Sequence, residues 1–236
     1  MVRSASAITI AVIPARGGSR SIPKKNLALL GGRPLLAWSI DAAREVAAIA
    51  RIIVSTDDDD IAHVALDRGA EVDRRPAALA SDDALVIDML RDLLARLKAA
   101  DEFPGIVVLL EPTCPLRSPA DIEQCLSLLD DDAIDSVATF TSAALNPVRA
   151  WRIERQRPQT FLPNVNPWLP RQQLPAAYQL NGAVYAFRAD RLTADRPSIL
   201  FGNTGAVIMP PERSVDIDSR LDLFVAEAVL AESRAR

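Results

Sequence analysis

Short apolar runs and helical patterns alternate along most of the chain. Ile8 to Ile13 is a continuous apolar run, as in a parallel strand buried on both faces. From Pro34 to about Ala50, alanines and leucines mix with Asp41, Arg44 and Glu45, a helical composition. Arg51 to Ser55 is a second β-branched run. Thr56-Asp57-Asp58-Asp59-Asp60 follows it and opens the next helix, since carboxylates favour a helix N-terminus. That helix carries Ile61, Val64, Ala65 and Leu66, and Gly69 stops it. Glu71 to Asp73 reads as a short strand. A loop leads into a helix over 84–98, where Leu85, Met89, Leu93 and Leu97 recur four apart and form a core face. Gly105 to Leu110 is a third apolar strand, ending in Glu111-Pro112-Thr113-Cys114-Pro115-Leu116-Arg117. Ser118 and Pro119 suit the N-cap and first position of another helix. Asp135 to Phe140, Gly182 to Phe187 and Ala206 to Met209 are further strands. Leu221, Phe224, Val225 and Ala228 give the last helix an apolar face. The alternation predicts a three-layer α/β sheet. Ligands of such sheets sit beyond the carboxyl ends of the strands, so the loops after Ile13, Ser55 and Leu110 should share one rim.

The alternation breaks after Thr141. Asn146 to Pro175 holds six prolines, two tryptophans and several arginines. Trp151, Phe161, Trp168 and Tyr178 call for burial, so this stretch is expected to be an arm packed on something, a second subunit being the natural partner.

Composition narrows the class. A length of 236 residues allows one large domain or two small ones. Hydrophobic content of 49% and charged content of 25% are those of a soluble globular chain with a full core. Cys114 and Cys125 make no disulfide framework, which fits a reducing compartment. No signal-peptide pattern and no run of about 20 apolar residues is present, so a cytoplasmic location and no membrane partner are expected. A net charge of −4 argues against bulk nucleic-acid binding. The single histidine, His63, excludes a multi-histidine metal cluster and reads as structural or exposed.

Against that acidic background, Ile13-Pro14-Ala15-Arg16-Gly17-Gly18-Ser19-Arg20-Ser21-Ile22-Pro23-Lys24-Lys25-Asn26 is densely basic. A solvated basic loop is one reading. The glycines after a buried strand favour the other, a phosphate site built from backbone N–H groups and cations. Late in the chain, Asp216 and Asp218 have period-two spacing, which points both carboxylates to one side of an extended segment. Two hard oxygen ligands near a phosphate loop suit Mg²⁺. The competing role is an N-terminal cap for the last helix, above all for Asp218. The run Asp57 to Asp60 reads as a solvated helix cap rather than a metal site, and Cys114 as an unreactive thiol.

Taken together, these blocks resemble the acylneuraminate cytidylyltransferases, or CMP-sialic acid synthetases. The resemblance runs in register over about residues 8 to 230. It includes Ile13 to Asn26, Val54-Ser55-Thr56-Asp57, Arg75-Pro76-Ala77, Leu79-Ala80-Ser81-Asp82, Pro112-Thr113, Pro115-Leu116-Arg117, Arg171-Gln172-Gln173-Leu174-Pro175, Asn181-Gly182-Ala183-Val184-Tyr185 and Asp216-Ile217-Asp218. It implies a Rossmann-like, mostly parallel sheet of the nucleotidyltransferase type. It also implies a core of 1–140 and 181–236, with an inserted dimerisation and sugar-binding arm over 141–180. The implied reaction joins CTP to a nonulosonic acid and releases pyrophosphate. By resemblance, Arg16, Ser19, Lys25 and Asn26 cradle the triphosphate, and Arg75 and Ser81 lie near the nucleotide. Arg16, Lys25, Asp216 and Asp218 carry the catalysis. Asp216 and Asp218 bind Mg²⁺, with Mn²⁺ as a substitute, and the protein is a homodimer.

The implied sugar side is Glu111, Arg149, Arg171 and Gln179, and here the chain departs from the family. Glu111 replaces the usual glutamine, Gln179 an arginine found in several sialic acid-specific members, and Arg149 a lysine. Val86 lies where a hydroxyl residue is common. N-acetylneuraminate is the expected sugar. Legionaminate, pseudaminate or a shorter 3-deoxy acid is the alternative, and a catalytically silent nucleotide-binding module is the rival from another class.

Overall fold

A computed structural model describes residues 8–19, 21–81 and 83–235. The strands are β1 (Thr9–Pro14), β2 (Leu29–Leu30), β3 (Arg33–Pro34), β4 (Ile49–Thr56), β5 (Glu71–Arg74), β6 (Ile106–Leu109), β7 (Ser136–Ser142), β8 (Trp151–Glu154), β9 (Arg157–Thr160), β10 (Tyr178–Arg188) and β11 (Thr204–Ile208). The α-helices are α1 (Leu35–Arg44), α2 (Asp59–Asp67), α3 (Val86–Ala99), α4 (Pro119–Leu128) and α5 (Arg220–Ala235).

The main sheet has the order β11-β7-β10-β6-β1-β4-β5. β4 and β6 flank β1 in parallel, β5 adds to β4 and β11 to β7 in parallel, and β10 runs antiparallel between β6 and β7. The chain steps outwards from β1 to β4 and β5, then returns to the other side of β1 as β6. That reversal creates a crevice at the carboxyl ends of β1, β4 and β6, where open α/β sheets bind ligands. The three loops expected to share a rim leave these three ends.

The central strands are apolar on both faces because both are covered. Ala11, Ile13 and Val54 pack with Leu36, Ile40, Ile61 and Ile122 of α1, α2 and α4. Ile10, Val12 and Ile53 pack with Met89, Leu90, Leu93 and Leu97 of α3 and with Phe187 and Phe201. A third cluster, Ile22, Leu30, Leu35, Ile217, Ala226 and Leu230, fastens α5 and the basic loop to the body. Local signals place the helix starts well. Asp58 accepts from the Ile61 N–H at 3.0 Å as the cap of α2. Ser118 and Asp121 form a reciprocal capping box around Pro119 at the start of α4. Gly69, at φ 71°, ends the turn after α2 in a conformation that suits glycine.

Two expectations need correction. Leu85 is the N-cap of α3 and is exposed, so the buried face begins at Ile87 and continues through Met89, Leu93 and Leu97. The stripe expected to bury α5 faces outwards, with Leu221 and Phe224 each 70% exposed; Ala226 and Leu230 are buried instead. The arm aromatics Trp151, Phe161, Trp168 and Tyr178 are exposed in the single chain, Trp168 at 82%. Within the arm, β8 and β9 form a small antiparallel hairpin, and Trp151 and Trp168 lie 6.2 Å apart in a tilted pair. β10 starts at Tyr178 and pairs it with Ser142, so the sheet extends into both ends of the 141–180 segment.

Candidate active site

The crevice is a cavity of about 490 Å³. Arg16, Ser19, Lys25 and Asn26 line it from the basic loop, Arg75 and Ser81 from the segment after β5, and Glu111 and Thr113 from the loop after β6. Residues about 100 positions apart meet here because each follows the carboxyl end of a neighbouring strand.

Each wall is held by hydrogen bonds that the chain supplies itself. Arg16 Nη1 donates to the Ser81 carbonyl at 2.8 Å, spanning the cavity between two loops. Asn26 is buried, and its Nδ2 donates to the Arg16 carbonyl at 2.9 Å, so it shapes the loop as well as lining it. Arg75 lies against the end of β4, donating to the Ser55 carbonyl at 2.8 Å and the Ser55 hydroxyl at 3.3 Å. Ser55 in turn donates to buried Asp73 at 2.7 Å. Burial holds the Arg75 guanidinium below its ordinary pKa, and the nearby Asp57 and Asp73 carboxylates partly offset that.

Asp216 and Asp218 belong to the same region. Lys25 Nζ lies 3.0 Å from Asp218 Oδ1, joining the basic loop to the late aspartates. Asp216 accepts a hydrogen bond from Thr113, and its carboxyl is raised above the ordinary range by partial desolvation and by the Asp218 charge. The end of α5 does not use Asp218 as its cap. Asp222 accepts from the Ser219 N–H at 2.7 Å and the Ser219 hydroxyl at 2.8 Å, while Ser219 Oγ accepts from the Asp222 N–H at 3.4 Å. This pair closes the helix start in the manner of a capping box. Asp222 also receives the Asp218 N–H at 3.1 Å, which leaves the Asp218 carboxylate to Lys25.

Glu111 sits largely buried in the cleft wall. Burial first, then the Asp216 charge, raises its carboxyl to about 7, with Arg117 and Lys25 opposing. Gly182, at φ 70°, passes so close that a Cβ there would stand 2.9 Å from Glu111 Oε2. Cys114 is buried and its thiol is raised to about 12, chiefly by burial, so it stays protonated and unreactive at neutral pH.

The sugar-side residues do not gather in one place within a single chain. Arg149 and Arg171 line a second cavity, of about 300 Å³, at the root of the arm with Asn146, Leu174 and Tyr178. Arg149 Nη2 donates to the Leu169 carbonyl at 2.7 Å. Gln179 lines neither cavity. Its Oε1 accepts from the Ala144 N–H at 2.9 Å and pins the start of the arm. Only Glu111 of the four faces the first cavity.

Sequence reasoning gave Arg117 no role. It is 4% exposed and donates to the Ala183 carbonyl and the Ser39 hydroxyl at 2.6 Å each, and to the Glu111 carbonyl. It therefore ties β10 and α1 to the loop that carries Glu111 and Thr113. Its place in the Pro115-Leu116-Arg117 block, soon after an apolar strand, is the signal the sequence carries, and its burial is a tertiary fact. Among the described residues, no group of three or more His, Cys, Asp or Glu side chains could cage a metal ion, and no helix is long and apolar enough to cross a membrane.

Comparison with known proteins agrees with this fold. A family model described as cytidylyltransferase matches residues 10–201. Post-translational flagellin modification protein B of Campylobacter coli is 33% identical over 94% of this chain and 95% of its own length. CMP-N,N'-diacetyllegionaminic acid synthase of Legionella pneumophila is 32% identical over the same shares. N-acylneuraminate cytidylyltransferase of Streptococcus agalactiae is 31% identical over 91% of this chain, which spans 51% of that protein. The solved structure of CMP:2-keto-3-deoxy-manno-octonic acid synthetase complexed with CTP shares the fold, with a TM-score of 0.71, 19% identity, and coverage of 96% of this chain and 100% of that one. With the model spanning most of the sequence and relatives above 30% identity along nearly all of it, the chain belongs to the cytidylyltransferase family and is a nucleotidyltransferase.

Proposed function

We propose that the chain transfers the cytidylyl group of CTP to the anomeric hydroxyl of a nonulosonic acid and releases pyrophosphate. The observation that carries this reading is the Lys25–Asp218 contact, which brings a late aspartate against the basic loop that lines the cavity. The sugar oxygen attacks the α-phosphorus, the bond to pyrophosphate breaks, and the hydroxyl proton passes to a carboxylate of the wall. Phosphoryl-type transfer asks mainly for positioning and charge neutralisation. Arg16, Ser19, Lys25 and Asn26 supply these at the triphosphate, and Arg75 and Ser81 on the nucleoside side. Arg16 and Lys25 stabilise charge on the leaving pyrophosphate.

Asp216 and Asp218 would hold Mg²⁺, or Mn²⁺ in its place. Two neighbouring carboxylates beside a basic loop fit a hard divalent ion of the kind that keeps waters and pairs with phosphates. When bound, the ion neutralises triphosphate charge.

N-acetylneuraminate is the first candidate sugar, in keeping with the N-acylneuraminate relatives. N,N'-diacetyllegionaminate is the second, because its synthase matches along 95% of its own length. Arg149 and Arg171 are the cations available for the sugar carboxylate, bidentate pairing being open to either. Their place in a cavity separate from the one Glu111 lines supports a site completed across a homodimer, with the 141–180 arm of one subunit serving the other. The test is pyrophosphate release by the full chain with CTP, Mg²⁺ and a panel of 2-keto-3-deoxy sugar acids. N-acetylneuraminate is expected to be fastest. No release with any of them rejects the reading, and CTP binding without turnover favours a silent nucleotide-binding module.

A further inference from the structure

The run Asp57 to Asp60 does more than open α2. Asp57 Oδ1 accepts from the Gly17 N–H at 2.9 Å, and Asn26 Nδ2 donates to the Arg16 carbonyl at 2.9 Å. The Arg16 carbonyl and the Gly17 N–H belong to one peptide group, so this single peptide plane is held at both ends. Asp58 packs on the same spot: a Cβ on Gly17 would meet its Oδ2 at 2.7 Å and its Cβ at 2.8 Å. Gly17 therefore has no room for a side chain, whereas Gly18 has nothing within 4 Å of the same position. Further along the loop, Lys24, at φ 50°, is ion-paired with Asp60. Gly18 and Ser19, just past the clamped peptide, line the cleft.

We infer that Asp57 is a positioning residue: by gripping the Arg16–Gly17 peptide opposite Asn26, it orients the next residues of the basic loop towards the phosphates of CTP. Asp58 completes the device by excluding any side chain at residue 17. A charge-assisted acceptor on a backbone N–H is strong enough to set a loop conformation. This inference rests on the proposed use of the loop for CTP.

Calorimetric CTP binding without sugar, steady-state kinetics and melting temperatures of the full chain provide the test. Losing a charged hydrogen bond is expected to weaken CTP binding and raise its KM about tenfold in Asp57→Ala, with kcat within about threefold and little change in melting temperature. Asp57→Asn keeps an acceptor oxygen and should stay within about threefold of the parent. Gly17→Ala should be at least as damaged as Asp57→Ala. Adding Asp58→Gly to it should recover CTP binding, because glycine removes both the carboxylate and the Cβ that meet the new methyl and is tolerated as the cap of α2. The Gly17→Ala rescue decides the matter if Asp57→Ala does not fold. Parental CTP binding in Asp57→Ala, equal damage in Asp57→Asn, or no rescue by Asp58→Gly overturns the inference alone. A parent chain that binds no CTP overturns the proposed function and this inference with it.

Discussion

Glu111 shows how far one residue can depart from its chemistry in water. Its folded pKa of about 7 stands above the ordinary 4.5, mainly through burial and then through Asp216. The native state therefore holds a proton that the unfolded chain releases between pH 4.5 and 7. In that window the unfolded state binds fewer protons, so stability falls as pH rises. The fall is complete above the folded pKa and amounts to about 1–3 kcal/mol. Glu111→Gln keeps the shape and removes the titration. Urea unfolding from pH 4 to 8 should show a slope in the parent and none from this site in the variant, with the variant more stable at pH 8. Equal slopes would mean that water reaches Glu111 freely. The sequence identified Glu111 as an odd residue at its position, but not the burial that makes it odd.

At the scale of elements, short signals next to each other were legible and choices between faces were not. Asp58 before α2, Ser118-Pro119 before α4 and Gly69 after α2 act through neighbours in the chain, so a sequence displays them. The last helix is apolar over a wide arc, from Leu221 through Leu230. Periodicity cannot say which half is buried when both are apolar. Docking on Leu30, Ile22 and Ile217 selects Ala226 and Leu230 and leaves Leu221 and Phe224 outside. Arg117 makes the same point for joints between elements. Truncating it would orphan the Ala183 and Glu111 carbonyls and the Ser39 hydroxyl, each costing about 1–3 kcal/mol if left unpaired. Arg117→Met is expected to lose at least about 3 kcal/mol in urea denaturation. A loss below 1 kcal/mol would mean that water replaces the guanidinium there.

At the scale of the whole molecule, the chain is a covered sheet with an uncovered arm. Large apolar side chains clustered on a surface mark interaction sites. Trp151 and Trp168 are such a pair, and exposed Phe161 lies on the same arm, whose root holds the cavity with Arg149 and Arg171. Sedimentation of the parent should give a dimer. Trp168→Glu together with Phe161→Glu should give a monomer with unchanged circular dichroism and greatly reduced turnover. A monomeric parent with full activity would reject the shared site.

By itself the sequence determined the alternating architecture, the capped helix starts and the two charged segments, Arg16 to Asn26 and Asp216 to Asp218. Each depends on residues close in the chain, or on an apolar run long enough to demand burial. Only the tertiary structure decided that Lys25 meets Asp218 across 193 positions, and that Asp57 grips the Gly17 amide. It alone released Asp218 from helix capping and set Arg149 apart from Glu111. The reason is physical: those contacts exist because the sheet order brings the carboxyl ends of β1, β4 and β6 together. Strand order follows from the packing of the whole core, which no local pattern records.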